Sequence, residues 1–92
     1  MTFAEIVAAV KEERKRQDAK WGTDFAGRPD ADWFVIMGEE VGEVANAILE
    51  HEKEHTAEEL IQVAAVVFSW LEFRTPLELQ VWDGQAEEAK EA

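Results

Sequence analysis

The chain is 92 residues long, 47% apolar and 33% charged, which is enough for one compact domain with a core and too hydrophobic for a disordered acidic tail. Its formal net charge of −12 repels nucleic-acid backbones and anionic membranes, so neither duplex nucleic acid nor a membrane surface is an expected partner. Cysteine is absent, which excludes disulfides, thiolate metal sites and cysteine catalysis.

Met1 to Lys20 becomes densely charged after Val10 and lacks the apolar core of a signal peptide. The longest uncharged run, Leu60 to Leu71, is too short to span a bilayer. The expectation is a single cytoplasmic domain over residues 1–92. So short a chain gains from burial shared with a second subunit, so a homodimer or homotetramer is expected.

The apolar spacing predicts an all-α domain, a four-helix bundle, with no strand-like alternation competing. The first helix opens at Thr2, three residues ahead of Glu5 in capping-box spacing, and runs to about Lys20. Phe3, Ile6, Val7, Val10, Arg14, Gln17 and Trp21 share one stripe of it. Gly22 to Pro29 reads as a loop. A second helix covers about Asp30 to His51. A third is expected after Thr56, where Thr56 and Glu59 repeat the capping-box spacing, and it carries Ile61 to Phe73. Thr75, Pro76 and Glu78 look like the start of a fourth helix, interrupted by Gly84, with a tail from about residue 84 that frays.

At about 100° per residue, the second helix places Phe34, Met37, Val41, Val44 and Ile48 on one face, which reads as the core stripe. Val35, Gly38, Gly42, Ala45 and Leu49 form a second, smaller apolar face. Ile36 and Ala47 bracket Glu40 and Glu43 on a third. Carboxylates on a helix apolar nearly all round are costly to ionise unless cations or donors compensate them. On the third helix Glu59 and Gln62 head a face continued by Val66 and Trp70. If the two helices pack antiparallel across the turn at His51 to His55, Glu40, Glu43, Glu59 and Gln62 converge. Oxygen ligands at i, i+3 spacing on two facing helices suit a hard cation such as Mg²⁺. Glu59 reads equally well as the reciprocal partner of a Thr56 cap, and Glu39 as a solvated charge.

The run Glu39-Glu40-Val41-Gly42-Glu43, followed after fifteen residues by Glu59-Leu60-Ile61-Gln62, resembles the EExxE and ExxD signature of the MazG-like nucleotide pyrophosphohydrolases. The resemblance extends to Arg16-Gln17-Asp18-Ala19-Lys20-Trp21-Gly22 and Trp33, covering roughly residues 10–75. It implies an all-α hydrolase that cleaves a nucleoside or deoxynucleoside triphosphate between the α and β phosphates, releasing monophosphate and pyrophosphate. It further implies Mg²⁺, with Mn²⁺ as a substitute, held by Glu40, Glu43 and Glu59, with Glu39 supporting a second metal or positioning water. Gln62 stands where the family pattern has aspartate. Its carbonyl oxygen still coordinates, but it brings no charge.

Arg14 and Lys20 are candidate phosphate contacts and Trp21 a candidate stacking face, each with a structural alternative in ion pairing or packing. Trp33, Trp70 and Trp82 read as core or interface anchors. His51 and His55 have zinc-compatible spacing but no third ligand in sequence, and read as solvated. Two other functions compete with the hydrolase. One is a non-catalytic helical nucleotide-binding or assembly module with a degenerate metal site; the other is a structural oligomer packed through Gly38 and Gly42.

Overall fold

The computed structural model describes residues 1–22 and 27–74, and there the chain is all-helical: α1 (Phe3–Trp21), α2 (Asp30–Leu49) and α3 (Lys53–Phe73). The expected fourth helix at Thr75, Pro76 and Glu78, the tail from about residue 84, and Trp82 lie outside the described residues. Among those described, no helix is long and apolar enough to cross a membrane.

The start of α1 follows its sequence. Thr2 Oγ1 accepts from the Glu5 amide and the Glu5 carboxylate accepts from the Thr2 amide, each at 3.1 Å, so two otherwise unpaired donors of the first turn are satisfied. α1 ends where Gly22 takes a left-handed φ of 83° and donates its amide to the Asp18 carbonyl.

α2 lacks a side-chain cap; Asp30 and Asp32 place negative charge against the positive end of its dipole. It ends two residues sooner than the expected His51. His51 adopts φ 59°, its amide donates to the Ile48 carbonyl, and the Glu52 amide donates to the Ala47 carbonyl. That pair of bonds is a Schellman closure with histidine in the position glycine usually holds.

The expected start of α3 after Thr56 is corrected to Lys53. Thr56 already lies inside the helix, where its amide and hydroxyl both donate to the Glu52 carbonyl at 2.8 and 2.9 Å. Its hydroxyl bonds one turn back and caps nothing.

α3 is the central element. It packs against α2, antiparallel to it, and against α1, while α1 and α2 do not pack directly on each other. The core joins Trp33 to Val66, with Ile36, Met37, Trp70 and Phe73 around them, and the Trp33 and Phe73 rings stack at 6.3 Å. At the open end of the α2–α3 pair, Trp70 Nε1 donates to Asp30 Oδ1 at 2.7 Å and Arg74 pairs with Asp30 Oδ2 at 3.3 Å. On the other side Val10 and Gln17 are buried against α3, and Arg14 reaches Ser69 and Glu72.

The inward face of α2 agrees with the expected stripe only in part. Met37 and Val44 are half-buried, Met37 against the core, but Phe34, Val41 and Ile48 are 60%, 49% and 57% exposed, whereas Trp33 and Ala47 are buried and Ile36 and Glu40 are half-buried. The face holding Glu40 is thus the one that meets α3. The inward face is displaced toward the side on which Trp33 packs against Val66 and Phe73.

Replacing Trp70 by Phe removes the indole N–H from Asp30 and keeps most of the ring. The variant is expected to lose about 1–2 kcal/mol in urea unfolding. An unchanged midpoint would show that this contact contributes nothing to the α2–α3 pairing.

Candidate metal and nucleotide site

Glu40 and Glu43, one turn apart on α2, converge with Glu59 of α3, and one carboxylate oxygen of each lies within 4.8 Å of the others. Glu59 is only 5% exposed, Glu40 is half-buried and Glu43 is exposed, so the cluster runs from the interior to the surface. Desolvation first, then the charges of Glu43 and Glu59, push the Glu40 carboxyl above its ordinary value of 4.5. A hydrogen bond shared with Glu59, and that group's charge, push Glu43 up as well.

Two side chains compensate the acids. The carboxamide of Gln62 faces Glu40 Oε2 at 2.9 Å and Glu59 Oε2 at 3.1 Å; both are acceptors, so its nitrogen belongs there, donating to each. His55 lies between Glu52 Oε2, 2.8 Å from Nδ1, and Glu59 Oε1, 2.9 Å from Nε2. A ring flanked by two carboxylates is favoured as imidazolium, and the Glu52 and Glu59 bonds hold its pKa above the ordinary 6.5.

α1 adds a second tier. Glu13 binds Arg16 at 2.6 Å and accepts from Gln17 Nε2 at 3.1 Å, while the same nitrogen reaches the Gln62 carbonyl at 3.4 Å. Arg16 lies within electrostatic reach of Glu40 and Glu59, and Lys20 within reach of Glu43.

Of the residues singled out from sequence, Glu40, Glu43, Glu59 and Gln62 are brought together. The Thr56 cap does not claim Glu59, whose partner is His55. Glu39 is exposed and lines a cavity beside the cluster, together with Trp21 and Glu40. Trp21 is 45% exposed with the Lys20 ammonium 5.3 Å from its ring centroid. Arg14 is engaged by Ser69 at 3.2 Å and Glu72 at 2.6 Å, at the far end of α3 from Glu59. His55 also groups with Glu50 and Glu52, all exposed; His51 is not in that group.

Sequence reasoning missed His55, Glu13 and Gln17. The His55 to Glu59 spacing of one helical turn was readable once α3 was known to begin at Lys53. Glu13 and Gln17 join only because α1 packs on α3, which no spacing within one helix reveals.

The directions of these shifts set the sign of what each group contributes to the metal-free pH dependence. Glu40 and Glu43 have raised pKa values, so ionising them destabilises the fold as pH rises above 4.5 through their folded values. His55 stabilises fully below 6.5, and that contribution is lost as pH rises through its raised folded value. Glu5 and Glu72 have lowered values, set by Thr2 and Arg14, so their contribution is lost as pH falls below 4.5. With chelator present, the melting temperature is expected to peak between 4.5 and 6.5 and to decline toward alkaline pH, with a shallower decline in His55→Gln. A curve rising monotonically to pH about 8 would contradict the arrangement of Glu40, Glu43 and His55.

The chain matches no family model, no curated protein and no solved structure, so its own side chains are what speak for its function.

Proposed function

We propose that this chain is a Mg²⁺-dependent nucleoside triphosphate pyrophosphohydrolase of the MazG-like type, releasing monophosphate and pyrophosphate. The observation that carries the reading is the convergence of Glu40 and Glu43 with Glu59 across two helices. The donor set fits a hard cation: the ligands are oxygens, they stand on rigid elements, and two carry raised pKa values that a positive ion would relieve. Glu40, Glu43 and Glu59 would hold Mg²⁺ or Mn²⁺, with the Gln62 carbonyl oxygen as a neutral fourth donor after its amide turns over. Bound there, the cation supplies charge neutralisation at phosphate oxygens and a water of lowered pKa.

The chain's own groups do the rest. His55 fixes the orientation of Glu59, as a hydrogen-bonded carboxylate must be held to serve as a ligand. Glu39, exposed at the cavity beside the cluster, would orient water. Lys20 and Trp21 offer a cation and a ring face to the nucleotide, and Arg14 contributes to phosphate binding only by giving up Glu72. A net charge of −12 does not bar an anionic substrate that arrives as its metal complex.

One observation favours a second reading. Gln62 already satisfies Glu40 and Glu59 with an N–H group, as a non-catalytic nucleotide-binding or assembly module with a degenerate metal site would have it. The test is pyrophosphate release from a panel of deoxynucleoside and ribonucleoside triphosphates with Mg²⁺ or Mn²⁺. Turnover is expected, reduced by about 100-fold in Glu40→Gln. Gln62→Asp separates the readings further. A metal ligand gains a charge there, so Mg²⁺ affinity rises; a merely structural amide becomes a half-buried acid facing Glu40 and Glu59, costing about 1–3 kcal/mol with no gain from metal. No pyrophosphate from any substrate, together with that destabilisation, would overturn the hydrolase.

The reading includes assembly into a homodimer or homotetramer. Phe34, Val41 and Ile48 are exposed along α2, and a Cβ added at Gly38 or Gly42 would meet nothing within 4 Å, so this face is uncovered among the described residues. Sedimentation at micromolar concentration is expected to give at least a dimer, and Val41→Lys to dissociate it. A wild-type monomer of 10.4 kDa would reject the assembly.

A further inference from the structure

A single carboxamide nitrogen stands between the two helices that carry the acid cluster. Gln62 donates to Glu40 Oε2 at 2.9 Å and to Glu59 Oε2 at 3.1 Å, joining α2 to α3 through two bonds to charged acceptors. His55 holds Glu59 Oε1 at 2.9 Å, and it is on the remaining oxygen that Gln62 donates. A Mg²⁺ ion needs its carboxylate oxygens at about 2.0–2.1 Å. The nitrogen and a cation therefore cannot both sit between Glu40 and Glu59.

An amide compensates these acids only in part. Its N–H groups satisfy lone pairs without supplying charge, and desolvation together with the neighbouring carboxylates still holds Glu40 above its ordinary value. A divalent cation supplies that charge, so it displaces the amide instead of being shut out by it. The side chain can yield without disturbing the helix, because its terminal amide torsion is soft. The Gln62 main-chain carbonyl meanwhile accepts from Gln17 Nε2 at 3.4 Å, and an open recess lined by Ala9, Arg16 and Ile61 lies against the residue.

We infer that the Gln62 carboxamide is a resident substitute for the cation: without metal it holds Glu40 against Glu59, and a metal ion that enters must displace it. The inference rests on the metal-dependent hydrolase reading and concerns how that site takes up its ion. An ionised aspartate at this position could bind the cation but has no N–H to give Glu40 and Glu59. The departure from the family pattern thus exchanges metal affinity for a cluster that stays assembled without metal.

The test compares the full chain with its Gln62→Met variant, which keeps the length of the side chain and removes its donors. With chelator present the variant is expected to melt several degrees lower. Saturating Mg²⁺ is expected to close most of that gap. Calorimetry is expected to find Mg²⁺ bound about tenfold more tightly by the variant, because no amide has to be displaced and a water replaces the lost carbonyl oxygen. A second readout needs only the wild-type fold: the Gln62 side-chain amide resonances are expected to exchange slowly with solvent in chelator and to lose that protection as Mg²⁺ binds. A melting gap that Mg²⁺ leaves unchanged, weaker Mg²⁺ binding by Gln62→Met, amide resonances indifferent to bound Mg²⁺, or no Mg²⁺ binding by either protein would each overturn the inference. Displacement of the amide by Mg²⁺ without pyrophosphate release from any triphosphate would keep it and reject the hydrolase. Pyrophosphate release with an amide that Mg²⁺ never moves would keep the hydrolase and reject the substitute.

Discussion

Two carboxylates on different helices meet on the amide of Gln62, and the placement of everything else in this domain has to permit that meeting. Glu59 is 5% exposed, and a carboxylate so buried is tolerated only when its oxygens are hydrogen-bonded. Gln62 occupies one of them and His55 the other. Both compensating residues come from the same helix as Glu59, so α3 carries its own neutralising groups, while Glu40 arrives from α2 as the additional charge. Holding Glu40 there requires the α2–α3 register, which the Trp33 and Val66 contact and the Asp30 bridge to Trp70 and Arg74 fix from the other end. Apolar packing at one end of the pair thus positions a polar cluster at the other.

The distribution of charge follows from the same arrangement. An acidic chain gathers cations where its carboxylates are most crowded: Arg16 toward Glu40 and Glu59, Lys20 toward Glu43, and His55 between Glu52 and Glu59. Arg16 is itself anchored by Glu13, a bond whose net contribution is small because Arg16 is half-exposed. Its role is local potential more than stability. The site remains net negative, and the neighbouring carboxylate charges add to desolvation at Glu40 and to the Glu59 hydrogen bond at Glu43 in raising both pKa values.

What the sequence made legible was local. The Thr2 and Glu5 cap depends on a spacing within one turn and formed as spaced. Glu40, Glu43, Glu59 and Gln62 were legible because acids and amides recurring on apolar helices have few compensations other than one another. The face of α2 was misjudged in part because its apolar residues nearly encircle it, and the inward side is the one on which Trp33 packs against Val66 and Phe73. The start of α3 was misjudged because Thr56 and Glu59 have the spacing of a cap, while His55 competes for Glu59 and the Schellman closure starts the helix earlier. Gln17 was legible only as a member of the α1 stripe and Glu13 not at all: their part in the site depends on α1 crossing α3 beside Gln62, a tertiary fact that neither helix alone discloses.

The turn that closes α2 deserves its own geometry. Between Leu49 and Lys53 lie three residues, with His51 in a left-handed conformation that costs an L-residue about 1–2 kcal/mol. The conformation folds the chain back at once, so the rotational phase of α3 about its axis is inherited directly from that of α2. One residue more in that turn would advance the phase by about 100°, carrying Glu59 and Gln62 away from Glu40 while leaving the hydrogen bonding of each helix intact. Chain length at this corner is therefore a coordination parameter, as chemical in its effect as the identity of any carboxylate.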